Sequence, residues 1–459
     1  MESIKENRMG TAPIIPLMLS MSLPAMFSML VQALYNIVDS MFVAQLGDDA
    51  FSAISLAFPL QMIMVALGVG TGVGINSLVA RRLGEGHQRD ADAAATHGLI
   101  LALANWMVMV LVGIFLARPF FMMYSPNNLN IVNMGTTYIQ IATIFSFGAF
   151  VQINTEKTLQ ATGNMLAPMC SQLIGCVTNI ILDPILIFGM FGAPRLEMAG
   201  AAIATVLGQI LGMCFCLSMI LFRSQAVHYR FKRFRWKWRV VRDIYVVGIP
   251  AIVMQAIASV MVTLLNKILI GFSESAVNVL GAYYKLQSFV FMPVFGLNQG
   301  VMPILGYNFG AGNRKRLMNT LRYGLIAAVF IMGVGTLVFW LCPTQLLSIF
   351  ISDSNTLAIG APAMRTISLS FLLAAVNIML STLFQAVGMG QNSLWVSLIR
   401  QLICILPAAW ALSKISLTAV WYAFPLAEIV AILVSIWMLY YLYHNVLMQL
   451  QPVNREQTA

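Results

Sequence analysis

Four acidic residues stand inside long apolar stretches of this chain: Asp39, Glu156, Asp183 and Glu428. A carboxylate set among apolar residues can carry a proton, hold a cation or bind a cationic ligand, and in lipid such groups are costly and usually functional. Asn179 and Asp183 are spaced i, i+4, so they share one helix face. Tyr35 and Asp39 have the same spacing, and Asn36 and Asp39 are i, i+3. If the two helices meet, these residues form one polar nest. Two carboxylates held together away from water suit reversible protonation, because like charges in a poor dielectric oppose double ionisation. The alternative for the nest is a hydrogen-bond network that only staples helices.

The other polar side chains in apolar segments are candidate substrate contacts: Glu156, Gln61, Asn154, Gln287 and Glu428. Glu156 is followed by Lys157, so a local ion pair competes with contact to a cationic substrate. Glu428 follows Pro425 and reads equally as a hydrogen-bonded acid facing the bundle. Lys267, Lys285 and Arg365 also fall within apolar segments; the lysines can snorkel from span ends, and none of the three is assigned a role.

The elements that must position these groups follow from composition. Of 459 residues, 59% are apolar and only 9% charged, with a mean hydropathy of +0.84. A soluble globular chain carries about a quarter charged residues. This balance excludes an ordinary soluble enzyme, a disordered chain and a nucleic-acid binder. Hydropathy and breakers place about twelve spans at roughly 13–45, 50–80, 94–117, 132–158, 165–190, 198–222, 244–272, 277–305, 318–341, 356–384, 394–413 and 417–443. Pro24, Pro59, Pro250 and Pro293 lie inside spans and are the expected bend points. Asp183-Pro184 could mark a helix end.

With the N-terminus in the cytoplasm, about 20 of the 26 Lys and Arg fall on the cytoplasmic side, which satisfies the positive-inside rule. The net charge of +10 is thus an orientation signal. The densest basic run, Arg230 to Arg239, interleaves cations with aromatics and is expected as an interfacial linker, Trp236 and Trp238 at headgroup level. The apolar stretch from Pro13 to Leu46, preceded by Glu2, Lys5, Glu6 and Arg8, is too long for a cleaved signal peptide. The six cysteines form no CxxC pair and read as packing residues. No HExxH or GxxxxGK[ST] pattern occurs, so neither a metalloprotease nor ATP-driven transport is expected. The stretch Gly68 to Gly74 holds a GxGxxG-like pattern inside a span, where close helix packing explains it better than a nucleotide loop.

The chain is also a duplication. Laid over its second half, Pro24-Ala25 meets Pro250-Ala251, Gln61 meets Gln287, and Gly70 and Gly74 meet Gly296 and Gly300. Gly84 and Gly86 meet Gly310 and Gly312, and after a one-residue slip Gly163 meets Gly388. So many coincidences on one diagonal mean an internal repeat. Six spans per half make the repeats parallel, an arrangement of secondary transporters with the site near mid-membrane. The expected division is 1–222 (N-lobe), 223–242 (basic linker), 243–445 (C-lobe) and 446–459 (cytoplasmic tail). Repeat partners of Asp39, Glu156 and Asp183 are Leu265, Ser381 and Ala408, none of which ionises. The asymmetry marks the N-terminal half as the seat of ion chemistry. The 31 Met with 27 Phe suit a cavity tolerant of varied ligands, although Met is also ordinary in spans.

Across residues 15–445 the chain resembles the multidrug and toxic compound extrusion (MATE) family. The resemblance is carried by Leu23-Pro24-Ala25, Tyr35-Asn-Ile-Val-Asp39, Leu159 to Gly163, Asn179 to Gly189, Gly200 to Thr205, Gly300-Val-Met-Pro303 and Tyr307-Asn-Phe-Gly310. The span-5 and span-1 segments are most similar to the DinF branch, near MepA-type multidrug exporters. The resemblance implies an all-α membrane protein of twelve helices in two six-helix lobes forming a V. It implies cation-coupled export of cationic or amphipathic drugs. It matches the coupling acid to Asp39, its partners to Asn179, Asp183 and Thr205, and a hinge to Pro24. The family's other main branch has acids in spans 7 and 10; here those spans hold none, and the nearest polar group in span 7 is Gln255. That disfavours a sodium site in the C-lobe and leaves proton or sodium (at Asp39, Asp183 and Asn179) open in the N-lobe. The expectation is therefore a monomeric, multi-pass multidrug/proton antiporter of the bacterial inner membrane, both termini cytoplasmic, with no cofactor beyond the coupling ion. Its partners are small drugs and the bilayer, not nucleic acid. The rivals are sodium-coupled antiport and a lipid or oligosaccharide flippase; an intramembrane enzyme has no motif behind it.

Overall fold

A computed structural model describes residues 7–223, 226–232 and 234–452. Glu2, Lys5 and Glu6, the linker's Arg233 and tail residues 453–459 lie outside them. All regular structure among the described residues is helical, as a chain in lipid requires, since a helix satisfies its own backbone donors and acceptors. Ten helices are individually long and apolar enough to span a membrane, and two bent helix pairs bring the number to 12. In chain order the spans are 1 (Ile14–Ala44), 2 (Asp48–Gly84), 3 (Gln88–Phe115), 4 (Leu129–Ile144 with Phe147–Ala161), 5 (Leu166–Phe188) and 6 (Glu197–Phe222). Then follow 7 (Trp238–Leu269), 8 (Glu274–Gly310), 9 (Arg314–Leu341), 10 (Ser354–Ser368 with Ser370–Ala386), 11 (Gly390–Ser413) and 12 (Leu417–Gln449). Spans 2 and 8, at 37 residues each, are about 55 Å long and exceed the hydrocarbon core.

Two sharp breaks fall outside the expected bend points. The breaks of 47° and 42° fall in spans 4 and 10, between residues 144 and 147 and between 368 and 370. Pro24, Pro59, Pro250 and Pro293 instead lie within continuous helices. At each break a serine hydroxyl donates to the carbonyl three residues back, Ser146 to Thr143 (2.7 Å) and Ser370 to Ile367 (2.6 Å). Such back-bonding competes with the helical ladder and bends helices. Pro184 likewise does not end its helix; span 5 runs on to Phe188 and stops at Gly189 in the left-handed conformation (φ 74°).

The repeated glycines have two physical causes. Gly86 and Gly312 (φ 79° and 68°), and Gly163 and Gly388 (both 88°), turn the chain through the left-handed region after spans 2, 8, 4 and 10. Gly70, Gly74, Gly296 and Gly300 permit close helix approach. A Cβ on Gly70 would fall 2.9 Å from Ile252 N, and one on Gly74 would collide with Ile244 O. One on Gly296 would fall 2.6 Å from Met26 N, and one on Gly300 2.7 Å from Ser22 N. Span 2 thus packs on the first part of span 7, and span 8 on the first part of span 1. The GxGxxG-like stretch is a packing face.

The same contacts explain how the chain divides. One compact unit comprises Met1–Met26, Gly84–Gly86 and Val253–Ala459; the other comprises Phe27–Leu83 and His87–Ile252. Spans 1 and 7 each leave one unit for the other, just beyond Pro24 and Pro250. We expect Gly74→Val and Gly300→Val each to lower stability by about 1–3 kcal/mol, because overpacked backbone contacts cannot relax. Thermal unfolding of the detergent-purified protein checks this; unchanged midpoints would refute tight packing at these glycines.

Candidate functional site

In the unit containing residues 27–83 and 87–252, span 5 presents Asn179 and Asp183 on one buried face (2% and 0% exposed). Span 6 closes on span 5 where Gly208 meets the Gly175 carbonyl, which sets Thr205 beside Asn179. Asn179 turns its amide nitrogen to Asp183 Oδ2 (2.7 Å), and its oxygen accepts from Thr205 Oγ1 and N (both 3.1 Å); those partners fix the amide's direction. Asp39, half-buried on span 1, brings its carboxyl into hydrogen-bonding reach of Asp183. Tyr35, one helical turn before Asp39, lies close to Thr205. The i, i+4 spacings thus converge as the sequence suggested.

A hydrogen bond between two carboxyls needs a proton on one of them. The opposite oxygens, Asp39 Oδ1 and Asp183 Oδ1, are buried with no hydrogen-bond partner. An unsatisfied buried carboxylate oxygen is expensive. The two carboxyls can share a proton between them; the Asn179 oxygen is already committed to Thr205, and its amide nitrogen faces Asp183. Among the described residues no cluster of three or more His, Cys, Asp or Glu exists to hold a metal.

Two further residues border the pair. Tyr138 on span 4, 2% exposed, is close enough to Asp39, Tyr35 and Asp183 for their charges to act on it. Its hydroxyl accepts from Gln61 Nε2 (2.7 Å). Gln61 therefore belongs to the edge of the acid nest. Tyr138 had no signal in the sequence, being a tyrosine in an apolar helix. Asn36 is exposed, and the structure does not bring it into the nest.

Glu156 lies elsewhere in this unit, 4% exposed. Its Oε1 accepts from Gln152 Nε2 (3.0 Å), which also donates to Ser171 Oγ (2.9 Å); Gln172 Nε2 reaches Oε2 at 3.5 Å. Ser171 in turn donates to the Gly212 carbonyl (3.0 Å). This acid is held by neutral donors from spans 4 and 5. Asn154, 1% exposed, donates to the Phe150 carbonyl (2.8 Å) and leaves its Oδ1 buried without a partner.

In the other unit, Glu428 (7% exposed) is paired with Arg400 Nη1 at 3.2 Å. Asn377 Nδ2 donates to Glu428 Oε2 (2.6 Å), and Ser435 Oγ donates to Asn377 Oδ1 (3.0 Å). Arg400 stands on a π-helical turn, Ile399–Ile405, within span 11. It lies inside the expected span 394–413, a cation in an apolar segment that sequence reasoning did not single out. Of the other cations placed in spans, Arg365 exchanges hydrogen bonds with Trp340 (Nε to the Trp340 carbonyl, 3.2 Å). Lys285 lies 5.3 Å from the Phe350 ring centroid. It lines a cavity of about 580 Å³ with Asn266, Asn278, Tyr284, Phe350 and Asp353, a volume that suits a drug-sized ligand. Gln287 is half-buried one helical turn beyond Tyr284.

Comparison with known proteins agrees with this architecture. A sequence profile described as MatE matches residues 24–185 and 250–410. The Multidrug export protein MepA of Staphylococcus saprophyticus is 25% identical, with 93% of each chain covered. The FAD transporter of Shewanella oneidensis is 26% identical over 87% of this chain and 88% of its own. The solved outward-facing structure of a multidrug resistance MATE family transporter of the MOP superfamily superposes with a TM-score of 0.88 at 25% identity, covering 97% of this chain and 99% of the other.

Proposed function

The chain belongs to the MATE family of membrane transporters, and on that premise we propose that it is a secondary exporter trading cationic or amphipathic drugs against protons at the Asp39–Asp183 pair. The observation that carries the reading is the pair itself: two carboxyls in mutual hydrogen-bonding reach, each with a buried oxygen unsatisfied. Deprotonated, the pair makes its surroundings negative and favours a cation. Protonated, it is neutral and the cation leaves. Asn179, itself held by Thr205, keeps Asp183 in place, and Tyr35 brings span 1 close to Thr205. Span 1 is the moving part, its hinge at Pro24, beside the point where the chain passes from one compact unit to the other. Coupling needs only that proton and drug differ in affinity for the same two states. The proposed setting is the bacterial inner membrane, both termini cytoplasmic, with the protein acting as a monomer.

Overexpression in a drug-sensitive host tests the exporter reading. Raised resistance to several unrelated lipophilic cations supports it, and unchanged sensitivity to all of them contradicts it. A second reading, export of a flavin nucleotide, draws on the 26% identical FAD transporter and on Lys285 in the 580 Å³ cavity wall. It predicts FAD movement into inverted vesicles that Lys285→Gln weakens. FAD movement without any cation efflux would favour that reading over the first.

A further inference from the structure

Transport at the carboxyl pair makes no use of the basic, aromatic connection between spans 6 and 7. His228, Arg230, Phe234, Trp236 and Lys237 bind this connection to the start of span 3. Asp92, fully buried, accepts on Oδ1 from His228 N (2.9 Å) and Gln88 Nε2 (3.1 Å), and pairs through Oδ2 with Arg230 Nε (2.6 Å). Thr96 Oγ1 accepts from Arg230 N (3.1 Å), and His97 Nε2 accepts from Lys237 N (2.9 Å). Phe234 and Trp236 stack on the His97 ring at 4.7 and 5.4 Å. Tyr229, reaching Thr155 (3.3 Å), and Val227, 1% exposed, close the inner side.

Among the described residues, the cations of the outer side have no protein partners. Lys232, Arg235 and Arg239 are exposed and form no ion pair among the described residues. Beside them stand three exposed aromatics, Phe231 (55%), Trp236 (41%) and Trp238 (74%). Trp238 is also the first residue of span 7, so this surface lies at the membrane boundary. Cations there meet phosphate-bearing headgroups, and indole rings settle at the boundary between headgroups and acyl chains. A loose basic tether would lose ordering entropy on binding; a segment already fixed by Asp92 loses much less.

We propose that this connection is a preformed docking surface for anionic phospholipid headgroups, with Lys232, Arg235 and Arg239 taking the phosphates and Asp92 holding the surface in shape. The inference goes beyond transport and holds whichever ion drives it.

The test uses the full-length protein purified in detergent, titrated with dioctanoyl phosphatidylglycerol and, separately, with dioctanoyl phosphatidylcholine. The readout is the thermal unfolding midpoint. Phosphatidylglycerol should raise the midpoint in a saturable, salt-sensitive way, and phosphatidylcholine should not. The triple variant Lys232→Gln/Arg235→Gln/Arg239→Gln touches none of the bonds to span 3. It should keep its lipid-free midpoint and lose apparent affinity on the order of 100-fold. Asp92→Asn should blunt the response with all three cations present; if it does not purify, Trp238→Ala serves, with a weakened response expected. An equal phosphatidylglycerol shift in the triple variant overturns the proposal. So does an equal shift from phosphatidylcholine, from glycerol phosphate (a simple anion site) or from a short oligonucleotide (a nucleic-acid surface).

Discussion

Replacing Asp39 with Asn should reduce drug resistance to the level of an empty vector while leaving the amount of folded protein unchanged. Asn is nearly isosteric with Asp, and its amide can donate to the Asp183 carboxyl, which lies within hydrogen-bonding reach of Asp39. Its remaining oxygen takes the place of Asp39 Oδ1 without a negative charge. Folding therefore loses little. What is lost is the ability to gain and release charge, and a permanently neutral group gives proton and drug nothing to compete over. Asp183→Asn should behave alike, since neither acid can share a proton alone. Resistance assays beside quantified membrane expression check this. Full resistance in Asp39→Asn would remove the pair from the mechanism; loss of the protein itself would make the pair a structural staple.

The second large effect is on stability. Arg400→Ala should destabilise the protein by about 3–5 kcal/mol, because it strands the Glu428 carboxylate in a buried site. Only 21% of the Arg400 side chain and 9% of the Glu428 side chain are exposed, so solvent screens the pair poorly. Asn377 and Ser435 remain, but they are neutral and were already hydrogen-bonded within the network. The double replacement Arg400→Met with Glu428→Leu should recover most of the loss, since a buried ion pair replaced by apolar residues of similar size is often neutral. Thermal unfolding of both singles and the double forms the cycle. A single Arg400→Ala variant within about 1 kcal/mol of the parent would show the carboxylate to be solvated or protonated without its arginine.

Much of this architecture can be read from the residues, and the reasons are local. The spans follow from apolar length, because lipid leaves the backbone only the helix. The duplication shows in its glycines because Gly86, Gly163, Gly312 and Gly388 sit at left-handed turns, and Gly70, Gly74, Gly296 and Gly300 against another backbone. The acid nest shows because Asn179 and Asp183, and Tyr35 and Asp39, share helix faces at fixed spacings. Partnerships between distant segments are not legible in this way. Tyr138 meets Gln61 across 77 positions, and Arg400 meets Glu428 across 28. His228 meets Asp92 across 136. No spacing rule links such residues; tertiary packing does. Arg400 lies well inside span 11, and nothing in its neighbours along the chain marks it as an ion-pair partner. The two sharp breaks are not legible for a related reason. Proline removes one hydrogen bond yet the helices here continue past it, whereas serine back-bonding at 146 and 370 depends on rotamers that sequence does not display.

Proton movement in sodium-free proteoliposomes tests the central claim most directly. The vesicles carry a pH-sensitive dye inside, and a lipophilic cation is added to set up exchange through the protein, with wild type compared with Asp39→Asn. The account predicts drug-dependent proton flux in the wild type, opposite in direction to the drug, and none in the variant. Drug movement that leaves internal pH unchanged and begins only when sodium is supplied would contradict proton exchange at the Asp39–Asp183 pair.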